Sequence, residues 1–126
     1  MIAVYQHDLT GRPPEQVLGP EASPFVHALV QAVIDRRGEL DDVIDRHAHG
    51  WSVDRIQPLE RSIMRVALVE MLHPDVAPGE RPIPPEGAIE EAVESAKTFC
   101  GSDAPGFVNG VLGAALREVR DNARAK

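Results

Sequence analysis

The sequence predicts an all-α fold, a compact single-domain helical bundle of about six helices. Apolar residues recur at helical spacing through most of the chain, and strand-like alternation is nearly absent. Prolines and glycines fall between the periodic segments rather than inside them. The length of 126 residues suits one core and not two. Residues 1–121 are expected to form the domain and residues 122–126 a frayed C-terminal tail.

Met1 to Leu9 reads as the tail of a helix, stopped by Thr10-Gly11 and by Pro13-Pro14. Ser23-Pro24 offers an N-cap followed by proline at the first helical position. Behind it Phe25, Val26, Leu29, Val30, Val33 and Ile34 form one stripe, which Gly38 is expected to end or kink. Leu40, Val43 and Ile44 mark a shorter helix running to Gly50. Trp51 to Pro58 is a connector, with Trp51 expected to pack beneath it as a core anchor. Leu59 to Leu72 is apolar around most of its circumference and is expected to be the central, most buried helix. Pro74 to Pro85 holds five prolines and one glycine, so it reads as an extended loop. Ile89, Ala92, Val93, Ala96 and Phe99 follow the helical pattern, as do Phe107, Val108, Val111, Leu112, Ala115, Leu116 and Val119.

Composition narrows the function classes. A formal charge of −7 means that the chain as a whole is not an electrostatic footprint for nucleic acid. No apolar run approaches the roughly 20 residues of a membrane span, so a cytoplasmic protein without a membrane partner is expected. Single Cys100 excludes an intrachain disulfide. Phosphate-binding loop, dinucleotide fingerprint and nucleophile elbow are all missing, so neither catalysis nor a cofactor is expected. His47 and His49 beside Asp45 suggest a metal only superficially. Two residues apart on a helix they point to different faces, and no third ligand stands near in sequence.

Four blocks go further: Val4-Tyr5-Gln6, Leu59-Glu-Arg-Ser-Ile-Met-Arg-Val-Ala-Leu-Val-Glu-Met-Leu72, Ala88-Ile-Glu-Glu-Ala-Val-Glu-Ser-Ala-Lys-Thr-Phe99 and Asp103-Ala-Pro-Gly-Phe-Val-Asn-Gly-Val-Leu112. In this order they resemble the NusB family of transcription antitermination factors. The resemblance implies an all-helical, non-catalytic domain that binds boxA-type single-stranded RNA of ribosomal operon transcripts together with the ribosomal protein NusE, and so acts indirectly on the elongating RNA polymerase complex.

It also nominates residues. Tyr5 matches a tyrosine beside the RNA, where a phenol could stack on an unpaired base; the plain alternative is a core ring. Lys97 could reach a phosphate, or simply pair with Glu90 or Glu94. Phe107, Asn109 and Gly110 form the most specific motif. Asn109, an amide that looks buried, could satisfy backbone groups or face a base; Gly110 permits close approach; Phe107 reads first as core. Glu70 falls on the implied partner surface, and Glu90, Glu91 and Glu94 could face the basic NusE, although a solvated helix face is the simpler reading.

The chain departs from the family pattern at four places. An arginine-rich arm is not present before Tyr5, the first basic residue being Arg12, so a start upstream of Met1 is expected, or else a variant with weak RNA binding of its own. Ala104 replaces a serine, leaving Ser102 or Asp103 to cap the last helix, and Val69 replaces an aromatic. The Pro74–Pro85 loop is longer than usual. Two rivals stay open: a protein-interaction module that binds NusE or forms a homodimer with little RNA binding, and a domain derived from ribosomal RNA cytosine methyltransferases. The lack of any glycine-rich cofactor segment disfavours the second.

Overall fold

The computed structural model describes residues 5, 9–11, 24–52, 55–74 and 84–125. Among them the secondary structure is helical: α1 (Pro24–Asp35), α2 (Arg37–His47), α3 (Pro58–Leu72), α4 (Pro85–Phe99) and α5 (Ala104–Ala125). Tyr5, Leu9 and Thr10 are helical as well, and Gly11 follows at φ 71°, a left-handed conformation that ends a helix at little cost to glycine. Pro24, Pro58 and Pro85 each open a helix, where the missing N–H is no loss and the fixed φ suits the first turn. The Pro13-Pro14 stop and most of the Pro74–Pro85 loop lie outside the described residues.

Helix α3 is central, packing against each of the other four. Its Ile63, Met64, Ala67, Leu68 and Val69 are all buried, which explains why its sequence is apolar around most of the circumference. Ala88, Ala92 and Ala96, spaced by four on α4, are buried as well. Their small side chains suit close packing of that helix on α3 and α5. From α5, Val108, Val111, Leu112, Ala115 and Leu116 complete the core.

One charge sits inside. Arg65 of α3 is only 3% exposed. Its guanidinium donates to both carboxylate oxygens of Asp41 on α2, at 2.8 and 3.0 Å. Such a fork satisfies a charge that would otherwise be stranded in a low-dielectric interior. Ser62, also buried, donates to the Pro58 carbonyl at 2.8 Å.

Three expectations need correction. The first helix ends at Asp35, and the break is at Arg36 rather than Gly38, which lies in the first turn of α2. Arg36 N–H still bonds to Ala32 and Leu40 N–H to Arg36, so the chain turns with little loss of hydrogen bonding. Trp51 is no core anchor: it is 55% exposed, because Ile56 fills the space under the connector. Phe99 is 56% exposed, since burial on its face of α4 stops at Ala96. The terminal helix continues through residues 122–125, where fraying was expected.

Candidate functional site

The loop Cys100–Asp103 delivers the chain into α5. Ala104 N–H bonds to the Gly101 carbonyl at 3.0 Å and Phe107 N–H to the Asp103 carbonyl at 3.2 Å, which starts the helix. With Val108, Val111 and Leu112 turned into the core, helical spacing forces Asn109 and Gly110 onto the opposite, exposed side. The Asn109 amide is therefore a surface group with its donors and acceptor open to a ligand, not the buried amide the sequence suggested. A Cβ at Gly110 would meet nothing within 4 Å, so no contact inside the fold requires glycine there.

Phe107 is half-buried and faces a cleft of about 410 Å³ between the start of α5 and the connector before α3. Trp51, Arg55, Glu60 and Asp103 line it too. Burial raises the Glu60 carboxyl above its ordinary range. It also raises the Cys100 thiol, helped by the nearby Glu60 charge.

On α4 the expected carboxylate cluster divides. Glu90 and Glu94 lie exposed, along with Lys97, on the side away from buried Ala88, Ala92 and Ala96. Glu91 instead shares a shallow groove of about 130 Å³ with Glu70 of α3, floored by Ala67, Ala88 and Ala92. Burial, and then repulsion from Glu91, push Glu70 up to about 6. A cationic side chain placed in this groove would relieve both effects. Tyr5 is half-buried on its helical turn and, like Lys97, stands on a different element from the Phe107–Gly110 turn.

His47 pairs through Nε2 with Glu118 of α5, which Arg46 also holds at 2.8 Å. The hydrogen bond from His47 lowers the Glu118 carboxyl against some opposing burial, with Arg46 assisting. His47 thus ties α2 to α5, while His49 is exposed. Sequence reasoning missed this pair, the Arg65–Asp41 fork and the Trp51 cleft. The arginine inside an otherwise apolar helix was the one available signal, since such a charge demands a partner.

With this geometry in place, comparison with known proteins is informative. The NusB family model matches residues 3–117. The transcription antitermination protein NusB of Rubrobacter xylanophilus is 42% identical, over 86% of this chain and 78% of that protein. NusB of Dehalococcoides mccartyi is 32% identical, over 98% of this chain and 89% of its own. Among solved structures, T. maritima NusB aligns with a TM-score of 0.78 at 25% identity, covering 93% of this chain and 84% of that one. A complex of the antitermination factors NusB and NusE with double-stranded RNA contains a chain that aligns at 0.74 and 24% identity, covering 92% and 89%.

Proposed function

The chain belongs to the NusB family of transcription antitermination proteins, and from that premise we propose that it is a non-catalytic adaptor that holds boxA-type single-stranded RNA together with the ribosomal protein NusE. The observation that carries this reading is the family match across residues 3–117, which takes in every block that bears a candidate contact.

Two faces divide the work. The Phe107–Gly110 turn presents the Asn109 amide and a helix start to RNA, with Tyr5 and Lys97 as further contacts. Helix N-termini attract phosphate, and an exposed amide can pair with a base edge. The Glu70–Glu91 groove, with Glu90 and Glu94 beyond it, faces the basic NusE. A net charge of −7 would speed that encounter while opposing RNA. On this reading NusE supplies cationic surface that the chain lacks, so RNA binding depends on the pair. The RNA–protein assembly then acts on the elongating polymerase indirectly.

The test is fluorescence anisotropy of a labelled boxA RNA titrated with the chain, with and without NusE, at two salt concentrations. Binding that tightens with NusE and weakens in salt supports the adaptor. NusE binding without RNA binding under any condition would instead support the protein-interaction module, which the acidic groove also favours.

A further inference from the structure

The chain has one tryptophan, and the fold leaves it more than half exposed at the mouth of a cleft. Tryptophan is among the side chains that gain most from burial, and only 4% of this chain is aromatic. An isolated exposed apolar residue needs no explanation. Here, however, Trp51 shares its cleft with Phe107, so two of the five aromatic residues line one opening. The volume, about 410 Å³, lies within the roughly 300–1,000 Å³ of small-molecule sites. Ring surface is not all that the walls provide. Arg55 is exposed and adds a planar cation, while Glu60, Asp103 and Gln57 add hydrogen-bonding groups.

That combination is what an unpaired nucleobase requires. Ring faces take the base by stacking, whatever its identity. Carboxylates repel phosphate but accept hydrogen bonds from the amino groups of a base, so the base edge enters and the backbone stays outside. The guanidinium of Arg55 is the cation available for the flanking phosphate. The cleft also includes the start of α5, one turn before exposed Asn109 and Gly110, so a strand on that turn can reach it.

We propose that the Trp51–Phe107 cleft takes one unpaired base of single-stranded RNA, with Arg55 holding the adjacent phosphate. This rests on the RNA-binding reading above and extends it to two residues, Trp51 and Arg55, outside the turn. Because Trp51 is the sole tryptophan, its emission reports on the cleft directly.

The experiment titrates the full chain, with and without NusE, with an unlabelled single-stranded boxA RNA while following Trp51 emission, using Trp51→Phe as the blank. Anisotropy of the labelled RNA runs in parallel on Trp51→Ala, Trp51→Phe and Arg55→Ala, each checked for wild-type helicity. The expected result is quenching that saturates with RNA binding, and affinity weakened about tenfold by Trp51→Ala but nearly restored in Trp51→Phe. Arg55→Ala should weaken binding and lower the salt slope by about one. RNA binding without quenching, or with unchanged affinity in Trp51→Ala, overturns the cleft while leaving the adaptor intact. Quenching by NusE alone, with no further change on adding RNA, assigns the cleft to the protein partner and overturns the proposal. No RNA binding in any condition overturns both readings.

Discussion

Helix α3 and the edge formed by Trp51, Arg55–Gln57 and the first turn of α5 are both rich in large side chains, yet they reach opposite surroundings. In α3 even an arginine is drawn inside and matched by Asp41. At the edge even a tryptophan is left in water while its neighbour Ile56 is buried at 4% exposure. The difference follows from how many elements surround each position. Four helices enclose α3, so every direction from it leads into the core. The connector has the core on one side only, and Ile56 occupies that side. Hydrophobicity decides burial where the fold closes around a residue; where the fold is open, geometry leaves it available for a ligand.

The sharpest way to break this comparison is to place a charge in the enclosed region. Ile63→Asp or Val111→Asp buries an unpaired carboxylate and should abolish the folded state, seen as loss of a cooperative melt by circular dichroism. A soluble, cooperatively melting variant would show that the core is drawn wrongly. Removing Asp41 is next in size. Asp41→Ala strands Arg65 and should cost about 3 kcal/mol in urea denaturation, whereas Arg65→Met should cost clearly less because no buried charge remains.

Within the connector the smaller residue should matter more. Ile56→Ala should cost about 2 kcal/mol or more, and Trp51→Ala less than about 1 kcal/mol, in the same denaturation experiment. A larger loss at Trp51 would contradict its exposed placement.

The smallest effect depends on pH. The folded pKa of Glu70 is about 6 against an ordinary 4.5, so the folded chain binds more protons between these values. Stability contributed by this group is therefore full below pH 4.5 and falls as pH rises through about 6. Glu70→Gln should remove that penalty. Water around a half-buried groove screens it, so the gain is about 1 kcal/mol at pH 7 and should vanish below pH 4.5. Equal stability differences at pH 4 and pH 7 would contradict the assignment.

How much of this was legible beforehand depended on the kind of residue. Helical periodicity located the buried faces of α3, α4 and α5, because a repeating pattern averages over many residues. Periodicity was silent on where neighbouring helices stop covering one another, and so Phe99 and Trp51 were placed inside. Asn109 was misjudged for a related reason: a polar residue in an apolar turn looks buried until the helix phase is known. Val108 and Val111 set that phase and turn Asn109 outward. Glu91 could not be separated from Glu90 and Glu94 until α4 was seated against α3. The Arg65–Asp41 and His47–Glu118 pairs join residues far apart in sequence, and nothing local names such partners.

The most direct test of the two-face account is chemical-shift perturbation of the ¹⁵N-labelled chain, titrated first with NusE and then with boxA RNA. The account predicts that NusE shifts residues around Glu70 and Glu91, and that RNA then shifts Asn109, Gly110 and their neighbours. RNA and NusE competing for the same residues, or RNA shifts confined to the Glu70–Glu91 groove, would contradict it.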